Sequence, residues 1–353
     1  MTNITYQDDS RSHARRLLVE VVEGDILEFA ADVVAFKYAQ SFYGADRRAA
    51  QALVDAGFEL QALQPGVGDY SLVDSRSALP ASRVLFVGVP ALAQFSYPQI
   101  RDFGRIVVRT LAKHVRGCEH LALTLHGPRY GLDEIEALFS MLVGCVEALV
   151  DQQPPRLSLI SVVERDVART GRLRRALREV SVHGGELSLT ETVHGWVVEL
   201  ERRTALTDSG TNEFARLPGA ASEEKARIFV AMPFADEFSD LFEYGIQRPV
   251  RELGFLCERA DVDVFTGDVL DRIKSKIETS TAIIGVLTGA NPNVYLEIGY
   301  AWGKGRPTIL VTDHTEKPRF DLQGQRYLKY RYIKDVEQML TRELGALKEQ
   351  GRI

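Results

Sequence analysis

The chain has little cysteine: Cys118, Cys145 and Cys257 are all it contains in 353 residues. They are odd in number, far apart and free of any CxxC spacing. This excludes a disulfide framework and a thiolate metal or redox pair, and leaves each as a small buried apolar side chain. Positive charge is short as well. With 43 Lys and Arg against 49 Asp and Glu the net charge is −6, so no global field neutralises phosphates along a duplex, and nucleic acid is not expected as the principal ligand. No apolar stretch approaches the roughly 18 to 20 uncharged residues that span a bilayer. The polar start MTNITYQDDSRSHARR lacks the apolar centre of a signal peptide. A soluble, cytoplasmic protein without a membrane partner is expected. No internal repeat is visible.

What is present excludes disorder as the main state: 45% of the side chains are hydrophobic and 26% charged. The length exceeds what one core usually organises and predicts two domains. Strand character runs over 17–22 and 31–38, where Asp32-Val33-Val34-Ala35-Phe36 is too continuously apolar for a half-exposed strand and belongs at the centre of a sheet. Helical spacing follows at 47–57, a strand at 83–89, a helix at 98–115 and a strand at 121–125. The loop His126-Gly127-Pro128-Arg129-Tyr130-Gly131 then leads to a helix at 132–150 and a strand at 157–163. This alternation predicts a mostly parallel sheet covered on both faces. The stretch 165–180 carries Arg169, Arg172, Arg174, Arg175 and Arg178, read as a solvated helix face or a phosphate-binding one. Strands at 186–190 and 193–200 complete a first domain, 1–203. The aperiodic, turn-rich run 204–224 reads as a linker.

A second domain, 225–353, opens on strand Arg227-Ile228-Phe229-Val230-Ala231-Met232, ended by Pro233-Phe234. A helix at 238–253, a strand at 255–258, a loop with Arg259, Asp261 and Asp263, a helix at 268–278, a strand at 282–287, a loop at 288–293, a helix at 294–303 and a strand at 308–311 follow. This is the scale of a small doubly wound parallel sheet, so the chain is read as α/β, two three-layer α/β domains. Ligands in such sheets sit beyond the carboxyl ends of the strands.

The segment Asn291-Pro292-Asn293-Val294-Tyr295-Leu296-Glu297-Ile298-Gly299-Tyr300-Ala301 places one carboxylate inside a helix. Glu297 lies beside Val294 at i−3 and Ala301 at i+4, with Ile298 flanking, so it leans on an apolar stripe. Lost hydration then has to be offset by a cleft or a cation. The bland alternative is an ion pair with Lys304, Arg306 or Arg259, or the nearby helix N-terminus.

These residues carry a resemblance. Phe229 to Phe234, Glu258-Arg259-Ala260-Asp261, Leu287 to Val294 with Glu297 to Ala301, and Phe320-Asp321-Leu322 resemble nucleoside 2′-deoxyribosyltransferase-like domains, relatives of TIR domains, over 225–332. The resemblance implies cleavage of an N-glycosidic bond, with Glu297 matching the helix glutamate that acts as nucleophile or oxocarbenium stabiliser. The chemistry agrees, since departure of a base develops positive charge on the sugar and an anion against that face stabilises or captures it. Where many relatives carry an aspartate, Val286 stands here. A neutral base leaves poorly without a proton donor, whereas nicotinamide on ribose is already cationic, so NAD is favoured as substrate over free nucleosides. Asn291 and Asn293 either bond ribose hydroxyls or make the turn and cap the helix. Arg259 and Asp261 bind phosphate and ribose or pair with each other. Met232, Pro233 and Phe234 wall a base pocket or belong to the core.

The first domain is similar to macro domains over 17–177: Val21-Val22-Glu23-Gly24-Asp25-Ile26, the strand Asp32 to Ala35, and the glycine turn from Leu125 to Leu132 carry the likeness. It implies binding of ADP-ribose or a related nucleotide, with Asp25 and Ile26 at the adenine and the backbone of Gly127, Pro128, Arg129, Tyr130 and Gly131 at the diphosphate. A glycine-rich turn feeding a helix N-terminus suits an anion on physical grounds. Asp25 as a plain turn residue is the alternative. Phe36-Lys37-Tyr38-Ala39-Gln40 stands where hydrolytic macro domains have an Asn-rich turn, which argues against ADP-ribosyl hydrolysis by this domain. His114 and His126 have no metal spacing and read as structural; no metal and no cofactor are expected.

Taken together, these resemblances imply a two-part effector, macro-like sensor plus NAD nucleosidase, of the kind found in bacterial antiphage defence and activated by assembly into a homo-oligomer. The alternatives are nucleoside or nucleotide hydrolysis or deoxyribosyl transfer in salvage, and a non-catalytic nucleotide-binding signalling protein.

Overall fold

The computed structural model describes residues 15–151, 156–179, 187–191, 195–200, 218–259, 267–316 and 326–353. Asp261, Phe320-Asp321-Leu322 and most of the expected linker lie outside them. The chain is α/β, with two compact units. The first comprises 1–91, 99–125 and 138–220, and the second 92–98, 126–137 and 221–353. The second unit thus takes in two segments that the sequence reading places within its N-terminal domain. Among the described residues no helix is long and apolar enough to cross a membrane.

The first unit holds strands β1 (Arg15–Glu23), β2 (Val33–Tyr38), β3 (Tyr70–Asp74), β4 (Arg83–Gly88), β5 (His120–Leu123), β6 (Leu159–Glu164), β7 (Leu187–Glu191) and β8 (Gly195–Leu200). They form one sheet in the order β3-β4-β2-β5-β6-β1-β8-β7. The five inner strands from β4 to β1 run parallel, while β3, β8 and β7 are antiparallel additions. Strand β2 is central, with Val33 to Phe36 wholly buried, as its unbroken apolar run predicts. Strand β3 is not apparent from periodicity: it is a half-buried edge strand that follows the glycine-containing turn at 66–69. Helix α1 (Gly44–Asp55) packs Ala49, Ala50 and Leu53 against Phe36 and Phe86. Helices α2 (Tyr97–His114), α3 (Glu134–Asp151) and α4 (Val167–Glu179) complete the helical complement. On α4, Arg169 pairs with Glu164 and Arg174 donates to the Val21 carbonyl at 2.8 Å. His114 is satisfied by the Tyr70 hydroxyl at 2.7 Å, and all three cysteines are buried and free.

The second unit holds strands β9 (Arg227–Ala231), β10 (Leu256–Glu258), β11 (Ala282–Val286), β12 (Thr308–Asp313) and β13 (Tyr327–Tyr330), all parallel, in the order β10-β9-β11-β12-β13. Alternate residues feed two cores. Ile228, Val230, Ile284, Val286, Ile309 and Val311 meet helices α5 (Arg248–Glu252) and α8 (Ile333–Glu349) through Val250, Val336, Leu340 and Leu344. On the other face Phe229, Ala231, Ile283 and Leu310 meet α6 (Gly267–Thr279) and α7 (Pro292–Gly303) through Ile273, Ile277, Val294, Ile298 and Ala301. The single helix expected over 238–253 is instead a 3-10 turn, a π-helical segment Leu241–Gln247 and the short α5. Pro249 has no N–H for the Gly245 carbonyl and its ring crowds it, so the wider turns end at the proline. Gly245 itself allows close approach to α8, since a Cβ there would lie 3.3 Å from that of Val336.

Candidate active site

Strand order places the site. Counted within the unit, the sheet runs 2-1-3-4-5, and the order reverses between β9 and β11, where open parallel sheets leave a crevice at the carboxyl ends. The loop after β9 begins Met232-Pro233-Phe234; that after β11 is Leu287 to Asn291 and feeds α7. The two loops touch. A Cβ on Gly289 would lie 3.3 Å from Cζ of Phe238 and 4.0 Å from Cγ of Pro233, so a side chain there would press on Phe238. Gly289 and Ala290 are both left-handed, with φ of 81° and 46°. Thr288 Oγ1 joins the Tyr330 hydroxyl at 3.0 Å and accepts the Asp313 N–H at 3.0 Å, while the Glu316 carboxylate accepts the Gly289 N–H at 3.1 Å. The loop is thus tied to the ends of β12 and β13.

Asn291 is the N-cap of α7: its Oδ1 accepts the N–H of Asn293 at 2.9 Å, and Pro292 follows at the first helical position. The capping alternative therefore holds for Asn291, whose amide nitrogen is not used by the cap. Asn293 is exposed. One turn further on, Glu297 is half-buried at the edge of the stripe Val294, Ile298 and Ala301, which are at most 2% exposed. Among the described residues no side chain pairs with its carboxylate. Lys304 pairs with Glu278 instead, Arg306 donates to the Glu278 carbonyl, and the Arg259 guanidinium lies over the Phe242 ring. Lost hydration alone pushes the Glu297 carboxyl up to about 7. Val286 is fully buried in the core below α5 and α8, so no acid stands there.

Met232, Phe234 and Arg259 come together. Arg259, directly after β10, sets its guanidinium 5.0 Å from the centre of the Phe234 ring and 4.1 Å from that of Phe242, with Nη1 3.7 Å from Met232 Sδ. Met232 and Pro233 are buried, whereas Phe234 is 40% exposed. The cluster sets a cation against two aromatic rings just beyond the strand ends.

Asp25, in the first unit, caps the 3-10 turn Ile26–Glu28 through Leu27 N at 3.1 Å and takes Arg48 at 3.0 Å and Arg165 at 3.7 Å. Burial works upward on its carboxyl, but these donors leave its pKa below the usual value. Ile26 is buried. In the second unit, Gly127 and Gly131 have φ of 104° and 85° around the 3-10 turn Pro128–Tyr130. The N–H groups of Tyr130 and Gly131 are used within it, on the carbonyls of Gly127 and Pro128, and Pro128 has none. Arg272 lies 4.8 Å over the Tyr130 ring. Among the described residues no three His, Cys, Asp or Glu side chains converge as a metal site would.

No known family's sequence profile matches the chain, and no curated protein matches it. Among solved structures it is similar to a macrodomain of Oceanobacillus iheyensis, at 15% identity over 47% of this chain and 97% of that one, with a TM-score of 0.36. A Trypanosoma brucei macrodomain in complex with ADP-ribose is similar at 16% identity over 44% and 67%, with a TM-score of 0.36. A CMP N-glycosidase of Clostridium botulinum is similar at 20% identity over 33% and 98%, with a TM-score of 0.29.

Proposed function

We propose that the second unit is an N-glycosidase that cleaves the nicotinamide–ribose bond of NAD, with Glu297 as the group that meets C1′. The observation that carries this is a half-buried carboxylate, without a cation among the described residues, on the helix that begins at the switch point of a parallel sheet. In the reaction the C1′–N bond breaks and its electron pair passes to the ring nitrogen, so cationic nicotinamide departs neutral. Glu297 stabilises the positive sugar or bonds to C1′, and water then adds there, releasing a proton. A carboxyl that titrates near neutrality gains ionisation when a cation docks against it, which suits a pyridinium substrate. Buried Val286 offers no proton donor for a neutral leaving base.

Met232, Pro233, Phe234 and Arg259 are assigned to the substrate's base and phosphates, and Asp261, Asn291 and Asn293 to its ribose. Asp25 and Ile26, in the first unit, are assigned to recognition of an ADP-ribose-like signalling nucleotide. On the resemblance to two-part bacterial defence effectors, that ligand would switch on the glycosidase in an oligomer.

Full-length protein incubated with NAD is the test. Nicotinamide release that Glu297→Gln abolishes supports the reading. Release of base from deoxynucleosides in its place points to salvage, and no turnover of either, with or without ADP-ribose, overturns it.

A further inference from the structure

Three stretches distant in sequence meet in the second unit at the end of β10. Glu258 closes that strand and is 1% exposed. Its Oε1 accepts the Tyr97 hydroxyl at 2.9 Å and its Oε2 accepts Lys276 Nζ at 2.7 Å. The same Nζ donates to the Gly131 carbonyl at 3.2 Å, and the Tyr97 oxygen accepts the N–H of Asp133 at 2.9 Å. Asp133, 2% exposed, receives Arg251 through Nε at 2.9 Å and Nη2 at 2.6 Å, and the N–H of Cys257 at 3.2 Å. It also accepts the N–H groups of Ile135 and Glu136 at the start of α3.

Such a network is a poor way to gain stability, since buried ion pairs roughly break even against apolar residues of the same volume. With its carboxylate oxygens satisfied, it fixes geometry. Here both carboxylates have donors on each oxygen, and what they fix is residues 257 and 258. The next residue is Arg259, whose guanidinium lies against Met232, Phe234 and Phe242.

We infer that Tyr97, Asp133 and Lys276 are positioning residues that set Arg259 against Met232 and Phe234, and through it the seat for the anionic part of the substrate. The inference rests on the reading of this unit as an NAD glycosidase. Lys276 also holds the last carbonyl of the glycine turn from Gly127 to Gly131, so a shift of that turn reaches Arg259 through the side chains of Lys276 and Glu258. None of the three touches substrate. Their loss therefore loosens binding and leaves the bond-breaking step at Glu297 nearly intact.

The test uses full-length Tyr97→Phe, which removes one hydroxyl, and Lys276→Met with Lys276→Arg as the conservative control. Amide hydrogen exchange is followed at 255–259 and at 282–287, alongside steady-state kinetics on NAD. Exchange is expected to rise at 255–259 and not at 282–287 in Tyr97→Phe and Lys276→Met. KM for NAD should rise about tenfold with kcat within about twofold, and Lys276→Arg should recover part of the KM. Unchanged exchange at 255–259 overturns the inference, as does faster exchange with an unchanged KM or an equal loss in kcat. If the wild-type protein does not turn over NAD, the glycosidase reading and the substrate half of this inference fall together, while exchange still decides whether the network holds the strand end.

Discussion

Lys304, at the carboxyl end of the helix that carries Glu297, is paired with Glu278 on α6: Nζ lies 2.5 Å from Oε1, and the Tyr300 hydroxyl donates to the same oxygen at 2.6 Å. Arg306 reaches the Glu278 main chain. The basic end of α7 is thus committed to its neighbouring helix. A carboxylate that the sequence surrounds with three candidate cations keeps none of them among the described residues, which leaves it available to the transient sugar cation of the proposed reaction.

This has a stability consequence of definite sign. Glu297 titrates near 7 in the native state and near the ordinary 4.5 when unfolded, so between those values the native state holds the extra proton. Wild-type stability therefore falls as pH rises through that window and stays lowered above it. Glu297→Gln should equal the wild type near pH 4.5 and exceed it by about 1–2 kcal/mol at pH 8, after discounting for partial solvent contact. Thermal melts of both proteins across pH 4.5–8 check this, and turnover of NAD should be lost throughout.

The same carboxyl sets a pH–rate profile. A nucleophile or cation stabiliser acts ionised, so kcat/KM should rise with pH through about 7, the value of the free protein. A bound pyridinium favours the ionised form, and the limb in kcat should therefore lie at lower pH. A profile that falls through neutrality would instead mark Glu297 as a proton donor.

Strand positions and the Glu297 stripe were legible because they are local: unbroken apolar runs gave β2, β9 and β11, and i, i+4, i+7 spacing gave Val294, Ile298 and Ala301. Edge strand β3 escaped because half-burial on one side leaves weak alternation. The π-helical segment escaped because hydrophobic spacing does not distinguish it from α. Helix α8 was readable, with Val336, Leu340 and Leu344 four residues apart, but lay past the last recognised motif. The network of Tyr97, Asp133 and Glu258 was out of reach: its bonds join residues 36, 118 and 161 positions apart, and no local pattern encodes such pairs.

Lys37 on β2 and Asp46 on α1 form a buried ion pair, at 5% and 4% exposure, where an Asn-rich turn was the comparison in the sequence. Burial raises the Asp46 carboxyl and Lys37 pulls it back in part. Lys37→Met should cost about 3 kcal/mol at pH 8 by leaving the carboxylate unpaired, and less near pH 4.5, where protonation relieves it. A Lys37→Met, Asp46→Leu double variant should regain most of the loss. Chemical denaturation at the two pH values measures all three proteins.

Gly289 and Ala290 form a left-handed pair just before the cap of α7, and the two positions separate backbone freedom from space. At Gly289, φ of 81° disfavours any side chain, and a Cβ would also press on Phe238 at 3.3 Å. Gly289→Ala should therefore cost about 1–2 kcal/mol and, by shifting the loop that presents Asn291 and the helix of Glu297, lower kcat/KM for NAD about tenfold. At Ala290, φ of 46° is already strained. Ala290→Gly relieves about 1 kcal/mol there and gives back a similar amount through the freer unfolded chain, so its stability should stay within about 0.5 kcal/mol of wild type. Denaturation midpoints with NAD kinetics on the two variants decide the matter. Gly289→Ala equal to wild type in both measures would mean that the loop has another conformation open to it, and that contact with Phe238 does not hold the helix of Glu297 in register.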